Sequence, residues 1–171
     1  MALLVRKISR GKWPDNPCSI NCLQADAISD LRTQGNTLSV WRVENLNEID
    51  EAVLALAASS KTERIETITI VWEDEEVFLK KGITVNDTVE GDTVVTDLRP
   101  KHRDLSDLSY DSLGVISEII MNSLNSSNTK RIPRQDVKKI LVNAYKNDRI
   151  SEEICTESLN SELLNAVNQI T

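Results

Sequence analysis

The stretch from Leu46 to Trp72 constrains the fold most, because a helical periodicity passes into a strand periodicity within it. The first half has apolar residues at the spacing of one helical face: Leu46, Ile49, Val53 and Leu56. The second half alternates and is rich in β-branched residues, with one face formed by Ile68, Ile70 and Trp72. A helix that leads into a central strand predicts helices packed on a sheet.

Two further strands are predicted upstream, at residues 2–8 and 37–43, with a short helix over residues 23–32 between them. Asn45 followed by Glu48 has the form of a capping box, which starts the helix of the central stretch. Each connection between strands has room for a crossover helix, so a parallel sheet is one interpretation of this order.

Residues 73–98 carry two weaker signals. The segment EDEEVFLKK, at residues 73–81, suits a strand or a short helix leaving the sheet edge, with Glu76 and Lys80 spaced as a helical ion pair. Beyond it the chain alternates again, and the turn residues EGD at 90–92 predict a hairpin.

The periodicity changes from two to 3.6 at residues 99–104, RPKHRD. Helices are predicted over residues 111–124, from Pro133 onwards and near the end of the chain, with residues 125–130 as a polar loop. The predicted fold class is therefore α+β, or a small α/β fold. Residues 1–100 are expected to hold three to five strands and two helices, and residues 104–171 a helical C-terminal region.

Acidic residues outnumber basic ones, with 27 Asp and Glu against 20 Lys and Arg and a net charge of −7. This charge repels phosphate backbones and anionic membrane surfaces, and it favours a protein partner with a basic or neutral surface. The longest apolar run, at residues 52–58, is far shorter than the ~20 residues of a membrane span. We therefore expect no membrane association.

The cysteines Cys18, Cys22 and Cys155 have no disulfide framework spacing, which favours free thiols in a reducing cytoplasm. The start of the chain, MALLVRKISR, places basic residues after the apolar run, the reverse of a signal peptide. A C-x3-C pair and a single histidine make a poor zinc framework. The sequence thus predicts a cytoplasmic protein with no metal and no cofactor.

The strongest candidate for a catalytic motif is His102-Arg103-Asp104-Leu105, which matches the start of the catalytic-loop signature of protein kinases. Five residues after the aspartate, where kinases have a metal-binding asparagine, this chain has Ser109. The sequence also lacks the glycine-rich loops that cradle nucleotide phosphates. The motif is therefore interpreted as a charged junction between two parts of the chain.

Interaction residues are predicted in two places. Trp13 lies in a proline-bearing loop, where an exposed indole would serve as a contact residue, since Trp is enriched at interface hot spots. The second place is a basic region near Pro133 that falls away from the apolar stripe of its helix: Lys130, Arg131, Arg134, Lys138 and Lys139. Phosphates, an acidic protein surface or water are the alternatives that this region leaves open.

The favoured function is a non-enzymatic interaction protein, meaning a cytoplasmic subunit, adaptor or immunity- or antitoxin-like partner that acts through an acidic surface. The alternative is a metal-dependent nuclease or nuclease subunit with Asp15, Glu75 and Glu76 as its carboxylates, because α/β folds place sites at strand ends. A weaker alternative is a nucleic-acid-binding accessory factor that uses the basic C-terminal helices.

Overall fold

One antiparallel sheet of six strands lies at the centre of the described residues, which are 2–15, 23–59, 62–88, 91–150 and 157–170 of this computed structural model. In chain order the strands are β1 (Leu3–Ile8), β2 (Leu38–Val43), β3 (Ile68–Asp74), β4 (Thr84–Asp87), β5 (His102–Ser106) and β6 (Thr129–Ile132). Their order across the sheet is β4-β5-β2-β1-β3-β6. Helices accompany the antiparallel sheet, so the predicted α+β class is confirmed.

Most of the helices lie where the 3.6-residue periodicity places them, and α3 resolves the segment 73–81, which the sequence left open between a strand and a short helix. In chain order they are α1 (Ala25–Asp30), α2 (Ile49–Ala57), α3 (Glu75–Lys80), α4 (Tyr110–Asn125), α5 (Arg134–Lys146) and α6 (Glu157–Ile170). Short 3-10 helices span Arg10–Lys12, Leu46–Glu48 and Thr96–Lys101. The Asn45 part of the predicted capping box is confirmed, because its side chain accepts a hydrogen bond from the Asn47 amide at 2.9 Å and so caps the 3-10 helix Leu46–Glu48 that leads into α2.

Strand β1 is one of the two central strands, and both of its neighbours, β2 and β3, run antiparallel to it. Along β1, Leu3 pairs with Asp74 and Ile8 pairs with Thr69. Helix α2 crosses over β1, so β2 and β3 point the same way without being neighbours. The parallel-sheet interpretation is therefore wrong. Helix α2 does form a crossover connection, but β1 lies between β2 and β3, the two strands that α2 connects.

Both faces of the sheet are buried. Because side chains alternate between the two faces of a strand, neighbouring residues of β1 point into opposite cores. Val5 faces a core formed with α2, α5 and α6, which includes Leu54, Leu141 and Leu163. Leu4 faces a core formed with α1, α3 and α4. Helices thus cover both sides of the sheet, with the C-terminal helices α5 and α6 on the side of α2.

The predicted hairpin around residues 90–92 is wrong. The partner of β4 is β5, with Thr84 opposite Ser106 and Asp87 opposite Arg103. The β-branched residues that follow position 92 lie in a buried connection that passes into the 3-10 helix Thr96–Lys101. This apolar run is buried beside α2, so its side chains are removed from water without strand pairing.

The polar loop predicted at residues 125–130 is corrected in its second half, because Thr129–Ile132 is the edge strand β6. Its register with β3 places Ile132 opposite Ile68 and Thr129 opposite Val71. The segment after residue 104 therefore contributes a strand to the same sheet as the N-terminal half. The predicted division into residues 1–100 and 104–171 stays a prediction.

Candidate functional site

Trp13, expected to be an exposed contact residue, is buried, so that expectation is wrong. Only 2% of the residue is exposed. Its indole Nε1 donates a hydrogen bond to Asp30 Oδ2 at 2.8 Å. Arg10 donates to the carbonyl oxygens of Trp13 and Pro14, at 2.8 and 3.2 Å. The start of the proline-bearing loop is thus folded onto the sheet, and Trp13 is a core residue.

The predicted basic region lies on β6 and α5, and most of its charge is bonded within the chain. Four of its members have such partners: Lys130 with Asp50, Arg134 with Glu162, Lys138 with Gln169 and Lys139 with Asp136. Arg131 has no ion pair among the described residues, and it is exposed on the edge strand. The first three bonds tie β6 and α5 to α2 and α6, and the three carboxylate partners leave less positive charge for a phosphate backbone.

The carboxylates of the nuclease alternative lie in two places. Glu75 and Glu76 begin α3, directly after the end of β3 that pairs with Leu3. Asp15 follows the opposite end of β1 and stays beside Arg10, with 3.5 Å between its Oδ1 and Arg10 Nη2. Because β1 is six residues long, its ends are roughly 17 Å apart. The structure brings Glu75 and Glu76 together but leaves Asp15 away from them.

Glu75 and Glu76 each have a basic partner. Arg42 Nε donates to Glu75 at 3.1 Å, and Lys80 Nζ donates to Glu76 at 2.8 Å. The bond from Lys80 lowers the pKa of Glu76. Within the described part of the chain, no three His, Cys, Asp or Glu side chains are grouped as metal ligands would be. The cysteines Cys18, Cys22 and Cys155 lie outside the described residues.

His102, from the kinase-like motif, lies in the sheet strand β5 and is buried. Its Nδ1 is 2.9 Å from Thr88 Oγ1, and its ring meets Trp41 edge-on with centroids 5.3 Å apart. The Asp104 carboxylate is 3.9 Å from Nε2, too far for a hydrogen bond. Burial lowers the pKa of His102, and the nearby Asp104 charge opposes this effect. The imidazole is therefore a neutral packing group at pH 7.

The most exposed large hydrophobic residue on the described surface is Tyr110, which has 91% of its area in solvent. It is the first residue of α4, and the exposed acids Asp107 and Asp111 lie on either side of it in sequence. Neither acid has an ion pair among the residues that the structure describes. We call Asp107, Tyr110 and Asp111 the acidic tyrosine patch.

The backbone beneath the acidic tyrosine patch is fixed. Ser109 caps α4, since its Oγ accepts a hydrogen bond from the Ser112 amide at 3.2 Å. Leu108 is buried, and its amide donates to the Asn36 carbonyl at 3.0 Å. The patch is therefore presented on a rigid corner between β5 and α4, which lowers the entropy cost of binding there.

An open cleft of about 570 Å³ lies between the end of α2 and the segment before β3. Its apolar floor comes from α2, α5 and the segment that ends in β3: Leu56, Ile65, Ile68 and Val137. Its rim is charged and includes Lys7 from β1 and Glu63 and Arg64 from the segment before β3. The volume lies within the roughly 300–1,000 Å³ of small-molecule sites.

Neither the patch nor the cleft was predicted from the sequence. The signal for the patch is local. Ser109 and Asp111 mark a helix start, and a tyrosine between them points back from the first turn, away from the rest of the helix. The cleft has no such signal, because its walls come from three separate parts of the chain: Lys7, the stretch from the end of α2 into β3, and Val137.

None of the described helices is both apolar and long enough to cross a membrane. No protein-family model matches the chain, and neither the curated proteins nor the solved structures include a significant match. A functional assignment therefore depends on the chemistry of the chain itself.

Proposed function

We propose that the protein acts without catalysis, as a cytoplasmic subunit, adaptor or immunity- or antitoxin-like partner that binds another protein. The observation that carries this proposal is the acidic tyrosine patch, where Tyr110 is 91% exposed. The apolar ring of a tyrosine gains free energy when a partner covers it. Tyrosine is also among the residues enriched at interface hot spots.

The charge of the patch selects the partner. Asp107 and Asp111 are exposed beside Tyr110, and the whole chain carries a net charge of −7. A basic surface on the partner complements both the local and the overall charge, and it speeds association at low salt. The partner that fits is a protein with a basic rim around a pocket for the phenol ring.

The patch is the centre of a larger contact surface rather than the whole of it. A stable complex buries about 800 Å² on each partner, more than three residues supply. The neighbouring turn at Gln34–Thr37, which bonds Leu108, lies at the same end of the sheet and extends the surface. We expect a few residues around Tyr110 to dominate the binding free energy.

Affinity capture with matched baits tests the proposal. Wild-type protein, Tyr110→Ser and Leu46→Ser are used as baits in nuclease-treated native lysate, and captured proteins are quantified by mass spectrometry. Leu46 is the control because it is 58% exposed but lies outside the patch. We expect one stoichiometric partner that Tyr110→Ser loses and Leu46→Ser keeps. Equal capture by all three baits, or no partner for the wild type, would overturn the proposal.

A salt titration separates charge steering from the tyrosine contact. Asp107→Asn combined with Asp111→Asn should slow association with the captured partner and flatten its dependence on salt, with little change in the dissociation rate. Tyr110→Ser should instead speed dissociation. An association rate that is unaffected by removing both acids would show that the acidic charge is not used.

A further inference from the structure

The cleft beside α2 combines an apolar floor with rim charges of both signs that have no ion pair in the described part of the chain. Ile68 and Val137, on the floor, are at most 3% exposed, so the floor is a continuation of the core. The apolar surface that a ligand on this floor removes from water is mainly that of the half-buried Leu56. The occupant therefore needs an apolar body.

Among the residues that the structure describes, the rim supplies one positive and one negative charge without an ion pair. Arg64 Nε donates to Glu66 Oε1 at 2.6 Å, which neutralises both residues locally. Lys7 and Glu63 are exposed, and neither has an ion pair among the described residues. A ligand with one carboxylate and one ammonium group complements this rim, and a ligand with a single charge leaves one rim group unmatched.

Helix α2 adds to the preference for an ammonium group. Its C-terminal end lines the cleft through Ala57, and its last turn contains no basic residue. The negative end of the helix dipole is therefore not offset by a neighbouring side chain of its own helix, and it favours a positive group on the ligand.

We propose that this cleft binds a short zwitterionic peptide, two or three residues long, with apolar side chains and free ends. Its carboxylate lies towards Lys7 and its ammonium group towards Glu63 and the end of α2. The volume of about 570 Å³ is suited to a ligand larger than one amino acid. The cleft and the acidic tyrosine patch share no residue, so this site is independent of the protein-binding function proposed above.

Titration calorimetry with three matched probes tests the proposal on the full chain. The first probe is the dipeptide Leu-Leu, which carries both charges. The second is its N-acetyl derivative, which lacks the positive charge, and the third is its C-terminal amide, which lacks the negative charge. We expect the dipeptide to bind most tightly, with each blocked form weaker by about two- to fivefold, the range of an exposed charge contact. Equal affinity for the three probes, or no binding of the dipeptide at millimolar concentration, would overturn the proposal.

Two charge variants assign the ends of the ligand. Lys7→Met should weaken the dipeptide and the acetyl form but leave the amide unchanged, and Glu63→Gln should weaken the dipeptide and the amide but leave the acetyl form unchanged. Lys146→Met, at the far end of α5, is the control and should change none of them. All three positions are exposed, so circular dichroism is expected to show an intact fold. Affinities that are the same in Lys7→Met and Glu63→Gln as in wild type would contradict the site.

Discussion

Asp30 holds Trp13 in the core through one carboxylate oxygen. Oδ2 accepts a hydrogen bond from Trp13 Nε1 at 2.8 Å and a second from the Ser9 amide at 2.8 Å. The same residue accepts a bond from the Arg6 guanidinium at its backbone carbonyl, at 2.9 Å. The end of α1 thus fixes the end of β1 and the loop after it, and a large indole is buried with its polar atom satisfied.

Asp30→Ala is expected to lower the free energy of unfolding by about 1–3 kcal/mol, because the variant leaves the buried Trp13 Nε1 without an acceptor. Urea denaturation followed by Trp fluorescence measures the change. Asp26→Ala, an exposed acid in the first turn of the same helix, is the matched control and should change stability by less than about 0.5 kcal/mol. Similar effects of the two substitutions would show that the carboxylate bond contributes little.

Arg149 joins three parts of the chain, and Arg149→Met should cost about 1 kcal/mol. Its guanidinium donates to both carboxylate oxygens of Glu51, at 3.1 and 2.6 Å, and to Asp97 at 2.7 Å. The two acids raise the pKa of Arg149 above its usual value. All three side chains are partly exposed, which limits the gain from a bidentate pair.

The ionic origin of this effect is tested by salt. The difference in unfolding free energy between wild type and Arg149→Met should shrink in 1 M salt, where the screening length is about 3 Å. Lys146→Met, exposed at the end of α5, should leave stability unchanged at both salt concentrations. A difference that persists in high salt would point to lost packing of the arginine stem.

His102 should make the protein less stable as the pH falls below about 6.5. Burial lowers the pKa of this imidazole in the folded state, so the unfolded chain binds the proton more tightly. Its contribution is fully present above the unfolded pKa and is lost as the pH drops through the lowered folded pKa. Stability curves of wild type and His102→Gln from pH 7 to pH 5 should diverge, with the wild type losing more. Parallel curves would contradict this assignment.

The elements that local periodicity defines were predictable, and the pairing between them was not. Helix α2 and strand β3 follow from the apolar spacing between Leu46 and Trp72. That β1 would lie between β2 and β3 depends on contacts between residues far apart in sequence, which a local pattern does not record. Strand β6 was missed because Lys130 and Arg131 interrupt its apolar alternation at the exposed edge of the sheet.

The site residues show the same contrast between what the local sequence predicts and what contacts with distant residues determine. The proline-bearing loop indicated exposure for Trp13, but the Asp30 acceptor that permits its burial lies 17 residues later. The basic residues of α5 suggested a free positive surface, and partners such as Glu162 on α6 neutralise part of it. The residue types identify which side chains carry charge, whereas the fold determines which of these charges remain unpaired.

Adding a methyl side chain at Gly91 should destabilise the protein, because the backbone there passes directly over Trp41 and His102. A Cβ added at residue 91 would lie 2.6 Å from Trp41 Cη2 and 2.7 Å from His102 Cβ. Gly91→Ala should therefore lower the unfolding free energy by about 1–3 kcal/mol, the usual cost of overpacking. At Gly11 a Cβ would meet no atom within 4 Å, so Gly11→Ala should leave stability unchanged or raise it by up to about 1 kcal/mol. Thermal unfolding of the pair measures the difference, and a stable Gly91→Ala protein would mean that this connection does not pack on the two rings.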